Sequence, residues 1–187
     1  MRFPTFVENL PLTRRALEFA AARHRDQHRE ADDAPFILHP LEVAQLLHGR
    51  ALPDDVVAAG VLHDTVENAH VGVDELTAEL GGRIARLVCA VTEPMSEGSY
   101  HERKARLRAA VESAEDDALV IYAADKVAKS RELRMLLAAR QDGDRVAEKL
   151  DHYWASLALL ERRLPAHPLV RQLRFELEAL TYLPPQR

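Results

Sequence analysis

Apolar positions recur along this chain at the three-to-four-residue spacing of amphipathic helices. Leu17, Ala20, Ala21 and His24 share one stripe of a first segment, which Thr13 is placed to cap and which reads as helical to about His28. A polar stretch from Glu30 to Ala34 ends at Pro35, and His39-Pro40 opens a second helix, Pro40 being tolerated in a first turn. Pro53-Asp54-Asp55 starts a third, its acids at the positive end, predicted to continue to about Glu67. Asp74 to Leu80 reads as a short helix closed by Gly81-Gly82. Further helical stretches run roughly over 82–92, 101–113, 116–139, 143–163 and 168–181. No run alternates as a strand would, and no hairpin signal occurs. Leu119-Val120-Ile121-Tyr122 comes nearest, but its Ala-rich flanks favour a buried helix. Glu93 to Ser99 is the most loop-like internal stretch. The pattern predicts an all-α orthogonal bundle of about eight or nine helices, a single domain over residues 1–187.

Composition narrows the class. Of 187 residues 47% are apolar and 29% charged, the balance of a soluble globular protein. The formal net charge of −5 argues against general nucleic-acid binding, which rests on neutralising many phosphates. No stretch approaches the length and apolarity of a membrane span, and Met1 to Arg15 contains no signal-peptide core. The one cysteine, Cys89, has no internal disulfide partner and suits a reducing compartment; amid Leu87, Val88 and Val91 it reads as a small buried residue. The expectation is a cytoplasmic domain with a small-molecule partner, no nucleic acid and no membrane; composition leaves its oligomeric state open. Nine histidines are then the conspicuous surplus.

The sharpest local feature is His63-Asp64, within Val-Leu-His-Asp-Thr-Val-Glu. Neighbours on a helix point about 100° apart, so the pair shares one ion only if other elements complete its shell. Taken alone it reads more readily as a surface turn than as a metal site. Glu67, three residues after Asp64 and four after His63, projects over the same patch. His39 follows the apolar approach Pro35-Phe36-Ile37-Leu38. Asp125 follows Leu119-Val120-Ile121-Tyr122-Ala123-Ala124, where an acid is expensive unless paired or bound to a cation. Lys126 or Lys129 could pair with it. Two imidazoles and two carboxylates from three helices otherwise suit Mn²⁺, Fe²⁺, Zn²⁺ or Mg²⁺, with positions left for water and substrate. Lys129, one turn beyond Asp125, is placed for a phosphate contact or for a solvated helix face; Lys126, Arg131 and Arg134 belong to the same cationic run. Arg25, Arg103 and Lys104 are weaker candidates. His24 reads as a core or supporting residue. His28, His48, His70, His101, His152 and His167 have no convergent spacing and are assigned to surface or packing, as Tyr153 and Trp154 are to packing.

The order His39-Pro40, His63-Asp64-Thr65-Val66-Glu67, Ala124-Asp125-Lys126 resembles the HD-domain superfamily. Within it the closest likeness is to the alarmone hydrolase branch, comprising the hydrolase domain of Rel/SpoT enzymes and the small Mesh1-type hydrolases. His24 to Arg29, Pro35 to Pro40, Leu87 to Thr92 and Arg145 to Glu148 extend the similarity over roughly residues 12–160. It implies an all-α fold, one Mn²⁺ held by His39, His63, Asp64 and Asp125, and hydrolysis of the 3′-diphosphate of ppGpp or pppGpp. It also implies that Glu67, with the residue after it, handles the attacking water, and that Arg29 stacks on the base. The departures are specific. The family's second acid is Asn68, which cannot take a proton from water. The lysine after the stacking arginine is Glu30, the asparagine after the metal aspartate is Lys129, a tyrosine of a later helix is Lys149, and a lysine before the aspartate is Tyr122. These changes admit two alternatives: an HD-type phosphatase acting on another nucleotide or phosphate ester, and a catalytically weak nucleotide-binding sensor.

Overall fold

The computed structural model describes residues 3–94, 96–138 and 143–182, with side chains in the last stretch from 145 onward. Met95 of the expected loop and residue 139 of the expected long helix lie outside the described residues. A 3-10 turn over Thr5–Asn9 leads into α1 (Pro11–Arg23), α2 (Leu38–His48), α3 (Asp54–Leu62), α4 (Thr65–Ala69) and α5 (Val73–Leu80). Then come α6 (Gly82–Val91), α7 (Tyr100–Glu112), α8 (Asp116–Ala138), α9 (Gly143–Arg163) and α10 (Pro168–Thr181). Among the described residues the only β-type pairing is an isolated bridge between His28 and Pro35. The fold is all-α, as the apolar spacing predicts.

Three local departures follow from side chains that compete for backbone partners. Thr13 does not cap the first helix. α1 starts at Pro11, and Thr13 lies buried in its first turn. The amides of Leu12 and Thr13 each donate to the Asp54 carboxylate at 2.9 Å, and the Thr13 hydroxyl donates to it at 2.6 Å. The first residue of α3 thus satisfies the N-terminus of α1. Second, α1 ends at Arg23 rather than near His28. The His24 amide closes the last turn on Ala20, and a loop follows in which Arg29 N–H donates to Ala34 O and Phe36 N–H to Gln27 O.

The third departure matters most. The helix expected to run to Glu67 breaks at His63-Asp64 into α3 and α4, which gives ten α-helices among the described residues where the pattern predicts about eight or nine. His63 Nδ1 takes the Gly60 carbonyl at 2.8 Å, and the Thr65 hydroxyl takes the Leu62 carbonyl at 2.6 Å. Both carbonyls would otherwise accept amides of a continuing helix.

α3 is the central rod: Val56 through Leu62 are all buried, packed by α1, α2, α6 and α8. Gly60 lets α2 come close, since a Cβ there would lie 2.3 Å from Leu47 Cδ1 and 3.3 Å from Val43 Cγ1. α8 is buried over Ala118–Ala128 and crosses α2, α3, α9 and α10. Arg131 bonds Glu42 of α2 at 2.7 Å and Glu176 of α10 at 3.0 Å, and Arg134 also bonds Glu176. These two arginines hold helices together and are not free cations. Cys89 is a correction: α6 turns Ile84, Leu87, Val88 and Val91 inward, which leaves Cys89 exposed on the outer face. Among the described residues no helix is long and apolar enough to cross a membrane.

Candidate metal centre and cavity

His39 stands in the first turn of α2, His63 and Asp64 occupy the turn between α3 and α4, and Asp125 sits midway along α8. Helix packing brings all four together, each buried to within a few per cent. His39 Nε2 lies 3.2 Å from His63 Nε2, 3.4 Å from Asp64 Oδ2 and 3.3 Å from Asp125 Oδ1. His63 Nε2 lies 3.2 Å from Asp64 Oδ2 and 3.3 Å from Asp125 Oδ1.

The hydrogen-bond chemistry decides what these atoms offer. The Gly60 carbonyl can only accept, so His63 Nδ1 carries a hydrogen, and Nε2 is the atom that faces the cluster and becomes a ligand once it loses its own proton. His39 Nδ1 lies 3.3 Å from Glu132 Oε1, within ion-pairing distance, and neither atom makes a hydrogen bond among the described residues. Asp64 Oδ2 and Asp125 Oδ1, both buried, have no hydrogen-bond partner among the described residues. Two imidazole nitrogens and two carboxylate oxygens at such spacing need positive charge among them, either protons on the rings or a bound cation. Donors about 2.1 Å from a divalent ion stand roughly 3.0–3.4 Å apart in octahedral or tetrahedral arrangement, which matches the spacing here. The residues therefore fit a metal, and His39, His63 and Asp125 have ligand atoms all within 4.8 Å of one another.

The electrostatics agree. Burial alone would push the imidazoles down, but Asp64 and Asp125 more than offset it, raising His39 and bringing His63 up to about 10. Burial opposes the charged carboxylates as well, yet the surrounding imidazoles and lysines hold Asp64 and Asp125 well below the usual carboxylate range. Lys126 and Lys129 both pair with Asp125, so the two candidate partners act together. Lys126 Nζ donates to Asp125 Oδ2 at 2.6 Å, and Lys129 Nζ lies 3.3 Å from Asp125 Oδ1 and 3.5 Å from Asp64 Oδ1. Burial lowers Lys126 despite Asp125; Lys129, also penalised by burial, is raised well above the ordinary lysine value by Asp125 and Asp64.

A cavity of about 550 Å³ adjoins the cluster, walled by the loop after α1 together with α7, α8 and α9. Lys126, Lys129 and Glu132 form its α8 side, Asn68 one edge, and Arg29 the loop side. The Arg29 guanidinium is tied to Asp32 and lies 3.8 Å from Glu132. Glu67 does not line this cavity; its carboxylate is partly exposed, 3.9 Å from Lys104 Nζ. The acid of the loop, Glu30, does not stand alone against a phosphate: it bonds Lys149 at 2.8 Å and Arg145 at 3.1 Å. Two of the departures from the family pattern thus neutralise each other across the cavity mouth.

Sequence reasoning missed three wall residues. Glu132 falls seven residues after Asp125 on the same face of α8, a spacing that could have found it. Tyr153, assigned to packing, and His152, assigned to surface or packing, both face the cavity from α9. His24 is buried, bonded to Gln27 and stacked near Phe36, as a supporting residue would be.

Comparison with known proteins agrees with this architecture. The HD-domain family matches residues 16–163. The guanosine-3′,5′-bis(diphosphate) 3′-pyrophosphohydrolase MESH1 of Danio rerio is 32% identical over 143 residues, covering 75% of this chain and 78% of that protein. The human MESH1 is 33% identical over 144 residues, covering 75% and 79%. A probable GTP pyrophosphokinase of Mycobacterium leprae is 32% identical over 177 residues, 93% of this chain but only 21% of that much longer protein. Among solved structures, a metazoan SpoT ortholog that hydrolyzes ppGpp superposes with a TM-score of 0.80 at 22% identity, covering 96% of this chain and 98% of that one. With one family spanning most of its length and the buried His-His-Asp-Asp cluster at its centre, the chain belongs to the HD-domain family.

Proposed function

We propose that this chain is a metal-dependent phosphohydrolase that removes the 3′-diphosphate of guanosine-3′,5′-bis(diphosphate), with Mn²⁺ held by His39, His63, Asp64 and Asp125. The observation that carries this reading is the convergence of the His39 and His63 Nε2 atoms, His63 held by the Gly60 carbonyl, on Asp64 Oδ2 and Asp125 Oδ1 at 3.2–3.4 Å in a buried cluster. The similarity to MESH1 over about three quarters of both chains supports the substrate. The lone cysteine fits a cytoplasmic setting.

When bound, the ion supplies Lewis acidity toward water and phosphoryl oxygens. The chain's own groups do the rest. Lys129 and Lys126 offset the charge of the diphosphate from the α8 wall, in surroundings where partial exclusion of water strengthens the attraction. Glu67, off the cavity wall but 3.9 Å from Lys104 Nζ on it, is the acid assigned the proton of the attacking water. Asn68, on the cavity edge, orients by hydrogen bonding and takes no proton. The water oxygen bonds to the phosphorus that carries the ribose 3′-oxygen, and the bond between that phosphorus and the 3′-oxygen breaks. The 3′-oxygen takes up a proton from solvent as it leaves, giving guanosine 5′-diphosphate and pyrophosphate. Arg29 offers its guanidinium plane to the base from the loop wall.

A second reading, an HD-type phosphatase of different substrate, is favoured by the Glu30–Lys149 pair at the cavity mouth. A screen of phosphorylated nucleotides with Mn²⁺, read by phosphate and pyrophosphate release, tests both. Pyrophosphate from ppGpp, abolished by a chelator, is the expected result. Release from another nucleotide but not from ppGpp selects the second reading. Tight nucleotide binding without turnover at any metal would sink both in favour of a sensor.

A further inference from the structure

The cavity wall contributed by α9 carries an imidazole that neither the family motifs nor the metal cluster uses. His152 is 4% exposed and lines the cavity beside Lys104, Lys126 and Lys149. Its Nδ1 lies 2.8 Å from Arg108 Nη1. A guanidinium has hydrogens to donate and no lone pair to accept with. Nδ1 must therefore be the acceptor, which puts the ring hydrogen on Nε2. That Nε2–H is hidden from solvent and has no hydrogen-bond partner among the described residues. Buried polar hydrogens are rarely left so. The ring does not escape by protonation: burial and the nearby Lys126, Lys104 and Arg108 all push it strongly down. It is a neutral donor, fixed in one tautomer, among cations that attract an anion.

We propose that His152 is a substrate-binding residue whose Nε2–H, covered in this structure, is uncovered by a side-chain movement when the ligand enters the cavity and donates to one of its phosphate oxygens. The proposal rests on the phosphohydrolase reading for its ligand class, and it adds a contact that the metal motif does not include. Packing is consistent with a held donor: the ring sits edge-on to Tyr100, with centroids 6.3 Å apart, and against Tyr153 at 5.6 Å. One helical turn on, Ser156 bonds Tyr122 of α8 at 2.9 Å and anchors this face of α9.

Imidazole ¹⁵N–¹H NMR on the whole protein with Mg²⁺ tests it without requiring turnover. Between pH 6 and 8 the expected His152 signal is a neutral ring with hydrogen on Nε2, and added pyrophosphate shifts it. A protonated ring, the opposite tautomer, or no shift with either pyrophosphate or ppGpp overturns the proposal. Kinetics give a second arm if ppGpp is turned over. His152→Phe should raise KM about tenfold with kcat within about twofold, while His152→Asn, which restores a donor, should recover most of that loss. Unchanged KM in a His152→Phe protein that melts like the wild type also overturns it. Failure of ppGpp turnover in the wild type bears on the proposed function alone, because the pyrophosphate titration still decides His152.

Discussion

At the scale of single residues, the metal centre depends on groups that orient the ligands as much as on the ligands. Glu132 Oε1 stands 3.3 Å from His39 Nδ1 and places a negative charge beside that ring. Glu132→Gln retains the shape and removes the charge. Its Mn²⁺ affinity should fall about tenfold, the lower end of what lost support of a ligating histidine costs, as measured by isothermal titration calorimetry. Acid should release the metal too. With no ion bound, the neighbouring carboxylates raise His63 to about 10, so the ring is protonated at neutral pH. An incoming ion must displace that proton. Mn²⁺ affinity should therefore rise with pH from 6 to 9 and fall below it, with proton uptake by the buffer detectable in calorimetry. The four candidate ligands could be named from the sequence because their motifs follow the order of the family they resemble, and the fold brings them together. Glu132 was not singled out, since its value comes from one facing nitrogen on another helix.

At the scale of elements, two helix ends and one close approach build the site. The α3–α4 break was not legible in the sequence: Val-Leu-His-Asp-Thr-Val-Glu has helical spacing throughout. Only the capture of the Gly60 and Leu62 carbonyls by His63 and Thr65 interrupts it. Across the break both residues keep helix-like backbone angles, and the side chains meet with Asp64 Oδ2 3.2 Å from His63 Nε2. Gly60 serves twice, its carbonyl fixing the His63 tautomer and its missing side chain admitting Leu47 of α2. Gly60→Val should cost about 2 kcal/mol or more through overpacking and should weaken metal binding by moving α2 with His39. Chemical denaturation and metal titration read the two effects separately. The same reasoning explains why His152 escaped notice. Periodicity locates α9, but which neighbour its Lys149–His152–Tyr153 face meets is decided by long-range packing.

At the scale of the whole molecule, an acidic chain presents a cationic cavity. The net charge of −5 is carried outside, while Lys104, Lys126, Lys129 and Lys149 gather on the cavity wall. The class of fold and the kind of chemistry were readable from helical spacing and from the order of His and Asp blocks. The charge arrangement was not, because Glu30 and Lys149 are 119 positions apart in the chain and meet only in the fold. An anionic substrate drawn in by this wall should bind less well as salt screens it. Raising NaCl from about 0.05 to about 0.5 M should lift KM for ppGpp several-fold with little change in kcat. The central claim is that a divalent ion held by the buried His-His-Asp-Asp cluster drives hydrolysis of the alarmone. Pyrophosphate release from ppGpp at saturating Mn²⁺, wild type beside a folded Asp64→Ala variant, tests it most directly. The account predicts sustained release by the wild type and a loss of about a thousandfold or more in the variant; no release by the wild type, or equal release by both, would contradict it.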